Sequence, residues 1–270
     1  MELKQNYPHI FVDNMNIGSI FGIFPNMIWN GGGVDLGERW SFDSIEEVLG
    51  HYFDLNLKLR LTLTNPVLDK EDCLDKYCNN VLLIVSYFSN VEVLVSSPIL
   101  ENHIREHFPN ITLNHSIIAT KEEKNLEQYI EELSKYNTVV LPRRLVKNQD
   151  FLLSIPNEFR NRFELLCNDP CPIDCPRLYE HYRAFGEHQR GNIINLELLQ
   201  CTNPNCQPPL RSFSSRQYQI SLKEIEEFYE PANFSEFKIS GRSGNVGTIN
   251  MILMFFKPEY QVDMLTYFLG

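Results

Sequence analysis

Residues 91–113, VEVLVSSPILENHIREHFPNITL, contain one complete strand–helix–strand unit. The runs 91–95 and 111–113 are short, β-rich and bounded by turn-forming residues, which is typical of strands. Residues 98–107 open with a proline and predict the helix between them. Two strands that are connected through a helix pair in parallel, so this stretch predicts an α/β fold.

The same alternation of strands and helices extends along most of the chain. Further strands are predicted at short apolar or alternating runs that end at a turn-forming residue: 18–29, 57–64, 138–141, 163–166 and 236–240. Helices are predicted at 44–53, 71–89, 121–135, at 147–160 with an interruption at Pro156, and from about Asn245. Two of them have capping-box spacings at the start, Ser44 with Glu47 and Thr120 with Glu123.

The number of these units favours a barrel. Six units within about 170 residues leave room for two more, which is the count of a (β/α)8 fold. We therefore predict an α/β, TIM-barrel-like (β/α)8 fold, complete or else incomplete or distorted, that forms a single domain over residues 1–270. A doubly wound open sheet is the alternative, but the sequence has no nucleotide-binding glycine fingerprint.

The composition is that of a globular protein with an acidic surface. Hydrophobic residues make up 43% and charged residues 22% of the 270 positions, enough for a sizeable core. The net charge of −11 disfavours binding of a polyanion to a generally basic surface. Because the sequence has neither an apolar stretch of about 18 residues nor a signal peptide, we predict a soluble cytoplasmic protein with no membrane partner and with reduced thiols.

Polar residues follow the predicted strands, where the active sites of such barrels lie. They are Asn30, Asn65, Ser97, His115, Arg143, Arg144, Asn168 and Arg242. Asparagine, histidine and arginine at these positions favour a pocket for an anionic ligand. The alternative is that loops are polar in any protein. His115 and, further along, His181 are candidate catalytic residues that could move protons.

Five of the seven cysteines are clustered between residues 167 and 206. Cys167, Cys171 and Cys175 have the spacing C-x-x-x-C-x-x-x-C, and Cys201 and Cys206 the spacing C-x-x-x-x-C, with prolines around them. Four thiolates on rigid turns are what zinc or a 4Fe–4S cluster requires. We interpret residues 167–210 as a metal-binding insertion within the barrel. The alternative is that these cysteines are buried packing residues, as predicted for Cys73 and Cys78.

Two stretches resemble a known family. ELLCNDPCPIDCPRLYEHY (164–182) and EFKISGR (236–242) resemble the cysteine-bearing segment and the closing strand of the collagenase-like peptidase family, peptidase family U-32. The chain is similar to its short, single-domain members. The resemblance implies a barrel and a 4Fe–4S cluster that is held by four cysteines. On that basis we expect the ligands to be Cys171, Cys175, Cys201 and Cys206, with Cys167 in reserve.

The resemblance also implies a class of reaction. Relatives are linked to oxygen-independent hydroxylation of an aromatic ring or a nucleobase, with a dicarboxylate as the oxygen donor. An electron-donor protein or another partner protein is a further candidate partner of this chain. The arginines that could bind such a dicarboxylate bidentately are Arg143, Arg144, Arg177 and Arg242. Two alternatives stay open: a zinc-stabilised binding module without catalysis, and a true peptidase, although neither G-x-S-x-G nor H-E-x-x-H occurs.

Overall fold

The computed structural model describes residues 2–13, 16–119, 124–168, 171, 175–192, 195–199, 220–239, 252–253 and 255–269. These residues form a seven-stranded sheet in which strand order equals chain order and every neighbouring pair is parallel. The strands are β1 (Ser19–Gly22), β2 (Lys58–Leu63), β3 (Val91–Val95), β4 (Thr112–His115), β5 (Val139–Val140), β6 (Phe163–Leu166) and β7 (Glu236–Lys238).

Helices alternate with these strands. They are α1 (Glu2–Asn6), α2 (Phe42–Asp54), α3 (Lys76–Val85), α4 (Pro98–His107), α5 (Leu126–Lys135), α6 (Gln149–Ser154), α7 (Leu178–Gln189), α8 (Leu222–Glu224) and α9 (Gln261–Leu269). A π-helical turn, Ile225–Tyr229, continues α8. Short 3-10 helices lie at Pro8–Ile10, Asp72–Leu74, Ile117–Ala119, Asn157–Arg162, Leu196–Leu199 and Pro258–Tyr260.

The sheet is rolled around a shared interior. Arg60 on β2 donates to Glu164 on β6 at 2.5 Å, although three strands separate β2 from β6 in the sheet. Lys238 on β7 places its Nζ 3.6 Å from the ring centre of Phe21 on β1. The prediction of a TIM-barrel-like α/β fold is therefore confirmed in its incomplete form, because the described residues contain seven strands and no ladder between β7 and β1.

The outer face of the sheet packs against the helices in two hydrophobic clusters. One joins β2 and β3 to α2, α3 and α4, and the other joins β5 and β6 to α5 and α6. Leu59, Leu61 and Leu63 of β2 belong to the first cluster. Because side chains alternate along a strand, the residues between them face the barrel interior.

Several predicted boundaries are wrong for local reasons. The strand predicted at 18–29 is only Ser19–Gly22, because the chain then turns through Asn26, whose φ is +57°. The helix predicted at 44–53 begins at Phe42, since Ser41 caps it by accepting the backbone N–H of Ser44 at 3.1 Å. Ser44 and Glu47 therefore do not form its capping box.

Other helices are shorter than predicted. The predicted helix 71–89 is divided by Asp75, which caps α3, whereas the predicted interruption of 147–160 at Pro156 is confirmed. The capping box of α5 is formed by Asn125 and Gln128 rather than by residues 120 and 123, which lie outside the described residues. The predicted start of a helix near residue 245 also lies outside them, as do residues 200–210 of the predicted insertion.

Gly31 fixes how closely the loop after β1 approaches the end of β2. A Cβ at position 31 would lie 2.1 Å from the backbone oxygen of Thr64, whereas one at Gly33 would meet nothing within 4 Å. We expect Gly31→Ala to lower the free energy of unfolding by about 3 kcal/mol, because two backbones must separate. Urea unfolding checks this, with Gly33→Ala as the matched control. Equal losses in the two variants would contradict the packing argument.

Candidate functional site

Helix α7 lies over the carboxyl ends of β1 and β2. Asn65, just after β2, donates to the backbone oxygen of Gly186 in α7 at 3.1 Å. Gln189 at the end of α7 donates to the backbone oxygen of Met27 at 3.1 Å. Arg190 forms an ion pair with Asp72 at 3.0 Å. The chain between β6 and α7 therefore leads from the end of β6 to the ends of β1 and β2, at the mouth of the barrel.

This connecting segment carries two of the predicted metal ligands. Cys171 and Cys175 are partly exposed, whereas Cys73, Cys78 and Cys167 are buried. The other two predicted ligands, Cys201 and Cys206, lie outside the described residues. Within the described ranges, no group of three or more histidine, cysteine or acidic side chains is arranged to hold a metal ion.

Cys167, the reserve ligand, lies in a different environment. Its side chain is part of the hydrophobic cluster between the sheet and the helices. Burial raises the pKa of its thiol to about 12, with the charge of Glu164 adding to the effect. A neutral, buried thiol is typical of a packing residue, because a metal ligand has to be deprotonated.

The predicted arginines have different exposures. Arg143, three residues after the end of β5, is only 5% exposed, while Arg144 is exposed. Arg177, at the N-terminus of α7, donates from Nε to Glu180 at 3.1 Å. Arg242 lies outside the described residues. A guanidinium that stays charged while buried at a strand end suits recognition of an anion.

The predicted asparagines are buried at the mouth and bond to the backbone. Asn65 donates to Ile28 at 2.7 Å as well as to Gly186, and its side-chain oxygen accepts the N–H of Val67 at 3.1 Å. Asn30 donates to the backbone oxygen of Gly33 at 2.9 Å. These contacts favour a role in shaping the loops. Asn168 is buried directly after β6.

The two candidate histidines lie on different elements. His181 is buried on α7, one turn after Arg177, with its ring 6.5 Å from that of Phe185. His115 is buried at the end of β4 and faces the helix layer, since its neighbour Asn114 donates to Glu92 in the barrel interior at 2.9 Å. The structure thus places the two candidate histidines on separate elements, His181 on α7 and His115 at the end of β4.

His115 lines a cavity of about 350 Å³ between the ends of β2–β4 and helices α4, α5 and α7. Its Nε2 lies 3.5 Å from Oε1 of Glu132, a carboxylate that also pairs with Lys124. Tyr136 packs its ring 4.9 Å from that of His115 and donates its hydroxyl to Glu101 at 2.5 Å. Burial, reinforced by the charge of Lys124, lowers the pKa of His115 to about 3.

Sequence reasoning missed the acidic and aromatic members of this cavity. Glu132 lies on the buried side of an amphipathic helix, with only 12% of its side chain exposed, and Tyr136 follows four residues later. A carboxylate on the apolar stripe of a predicted helix is the signal that could have indicated it.

A second missed group fills the barrel interior below the strand ends. Arg60 donates to Glu92 at 2.9 Å and to Glu164 at 2.5 Å, and it lies 3.7 Å from Glu236. Two lysines join these carboxylates, Lys58 with Glu92 at 2.6 Å and Lys238 with Glu164 at 3.2 Å. Three cations and three anions thus lie together, with Arg60, Glu92 and Glu164 buried and Lys58 and Glu236 partly exposed.

The fold and the residues at the mouth of the barrel define a class of protein, an incomplete parallel α/β barrel with cysteines in the segment after β6. No protein-family model and no curated protein matches the sequence. Among solved structures, the chain is similar to the U32 peptidase Mk0906, with 15% identity and a TM-score of 0.51 over 86% of this chain and 87% of that one. At this identity the likeness shows a shared fold.

Within the described part of the chain, each helix is too short or too polar to cross a membrane.

Proposed function

We propose that this chain is an iron–sulfur protein related to the U32 peptidases that hydroxylates an aromatic ring or a nucleobase without dioxygen. The observation that carries this proposal is the position of Cys171 and Cys175, two partly exposed thiols in the segment that joins β6 to a helix over the barrel mouth. The shared fold with a U32 peptidase supports the part of the proposal that relates the chain to these proteins. A cytoplasmic location, where thiols stay reduced, is part of the proposal.

The thiols fit a 4Fe–4S cluster as far as the chain is described. Thiolate is the donor that such clusters require, and these two cysteines differ from the buried ones in being partly exposed. Cys201 and Cys206 would complete the set of four. The cluster would supply one-electron chemistry when bound, and a protein electron donor would be its partner.

The residues around the mouth would bind and orient the other reactants. Arg143 is buried at the end of β5, where its guanidinium would hold a carboxylate of the oxygen donor. Arg177, which lies two residues after Cys175, would hold the second carboxylate together with Arg144 or Arg242. His181, one turn further along α7, would transfer a proton to or from the bound reactant.

The first experiment is purification without oxygen, followed by the absorption spectrum and the iron and sulfide content. We expect a brown protein with a broad band at about 400 nm and about four irons and four sulfides per chain. A colourless protein with one zinc would overturn the redox function in favour of a zinc-stabilised binding module. A folded protein without metal would overturn both.

Peptide hydrolysis is the second candidate function, because the solved structure with this fold is called a peptidase. It predicts cleavage of a fluorescent casein substrate that survives removal of iron. The hydroxylase proposal predicts no cleavage by the loaded protein. Cleavage that persists in the Cys171→Ala and Cys175→Ala variants would favour the peptidase.

A further inference from the structure

Two of the residues that line the cavity beside His115 each have one polar atom without a hydrogen-bond partner among the described residues. These atoms are Nδ1 of His115 and Oε2 of Glu132, and both are buried. The other polar groups around it are already engaged, since Lys124 pairs with Oε1 of Glu132 and Tyr136 donates to Glu101. Leaving buried polar atoms unpaired destabilises a fold, which favours a bound molecule that completes them.

Both atoms are hydrogen-bond acceptors. His115 is neutral, since burial lowers its pKa to about 3. Its Nε2 faces Oε1 of Glu132 at 3.5 Å, so we assign the ring proton to Nε2, which leaves Nδ1 with a free lone pair. The carboxylate Oε2 also only accepts. A complementary molecule therefore has to present N–H or O–H donors.

The surroundings select a neutral ring rather than a cation. The charge of Glu132 is balanced by Lys124, and that of Glu101 by Arg105 at 2.8 Å. The remaining wall includes apolar side chains from the ends of β2 and β3 and from the segment after β4: Pro66, Val95, Ile118 and Ala119. A volume of about 350 Å³ suits a molecule of one or two rings.

We propose that this cavity binds a neutral aromatic or heteroaromatic ring that carries an amino or hydroxyl group, which donates to Glu132 and His115. Tyr179, in the first turn of α7 and four residues after Cys175 in the chain, lines the same cavity. Binding rests on the cavity alone. The assignment of this ring as the molecule that is hydroxylated rests on the proposed function.

Matched probe pairs test the proposal on the wild-type protein as purified. Isothermal titration would compare 2-aminopyrimidine with 2-(dimethylamino)pyrimidine, and phenol with anisole. The methylated partner in each pair keeps the ring but lacks the donor. We expect the donor-bearing probes to bind with dissociation constants of about 1–10 mM, and the methylated ones at least about tenfold more weakly. Equal binding within both pairs, or no binding up to about 50 mM, would overturn the proposal.

A matched pair of variants on one helix identifies the acceptor. In Glu132→Gln the amide oxygen can keep the contact with Lys124, which turns the amide nitrogen, a donor, towards the cavity. We expect this variant to lose the discrimination between the probes, whereas Glu131→Gln, at an exposed position on the same helix, keeps it. Unchanged discrimination in Glu132→Gln would overturn the assignment. The iron content of the same preparations tests the proposed function separately.

Discussion

Replacing Arg60 with methionine is expected to destabilise the fold by about 3–5 kcal/mol, because the change leaves buried carboxylates without their common partner. Arg60 is 2% exposed and bonds Glu92 and Glu164 inside the barrel. Methionine fills much of the same volume, so the loss would come from charge rather than from a cavity. Chemical unfolding followed by circular dichroism measures the change.

Two further variants show whether charge is the cause. Lys135→Met removes an exposed ion pair with Glu131, and we expect it to leave the free energy of unfolding unchanged within error. Adding Glu92→Gln and Glu164→Gln to Arg60→Met should restore part of the stability, because the two buried carboxylates are then uncharged and the lysines that lose them, Lys58 and Lys238, are more exposed than the carboxylates were. If the triple variant were less stable than Arg60→Met, the lost stability would have to come from packing and hydrogen bonds.

Within this network, Glu92 predicts a loss of stability in acid. Burial by itself raises the pKa of Glu92, but the hydrogen bond from Lys58, the charge of Arg60 and the hydrogen bond from Asn114 outweigh it, and the pKa lies below its ordinary value. A carboxyl whose pKa is lowered by folding stabilises the fold above its unfolded pKa of about 4.3 and loses this contribution as the pH falls through the lower, folded value.

Glu92→Gln should weaken the dependence of the folding stability on pH in acid. We expect the variant to lose less stability than the wild type between about pH 4.5 and pH 2.5, because it has no proton to take up at this position. Denaturant midpoints at several pH values measure the slope. Parallel slopes for variant and wild type would assign the acid sensitivity to other carboxyl groups.

Local sequence patterns were sufficient to predict the strands, but they were insufficient to predict the charged group around Arg60 that the strands enclose. The runs 91–95 and 163–166 were predicted to the residue, since apolar β-rich runs between breakers have few alternatives. The alternation in LKLRLTLT also predicted β2, but an alternating strand usually turns its polar side to water. Only the rolled sheet places Arg60 and Glu164 opposite each other, and these residues are 104 positions apart in sequence.

Prediction of the candidate site from sequence has the same limit. That His115 and Arg143 follow strands could be predicted, because strand ends are local features. The position of α7 over β1 and β2 could not, since it depends on contacts such as that of Asn65 with Gly186, 121 residues away. The cavity beside His115 needed the orientation of α5, whose start was predicted at the wrong residue.

Alanine at Cys171 or Cys175 is expected to abolish the iron–sulfur absorption while the barrel stays folded. Both side chains are partly exposed and lie outside the hydrophobic clusters, so their removal leaves the packing of the sheet intact. A 4Fe–4S cluster held by four thiolates becomes labile when one is lost. Iron content and the band at about 400 nm, measured without oxygen, should fall by more than about tenfold. The same result is expected for Cys201→Ala and Cys206→Ala.

Cys167→Ala is the informative control for these variants, because it lies in the same cysteine-rich stretch but packs into the hydrophobic cluster. We expect it to keep its iron and to lose about 1 kcal/mol of stability, as expected for a small cavity in a core. Replacement of Cys171 or Cys175 would then lower the iron content, whereas replacement of Cys167 would lower only the free energy of unfolding. A Cys167→Ala protein that folds without iron, beside a Cys171→Ala protein that keeps it, would reverse the assignment and move the metal centre to the end of β6.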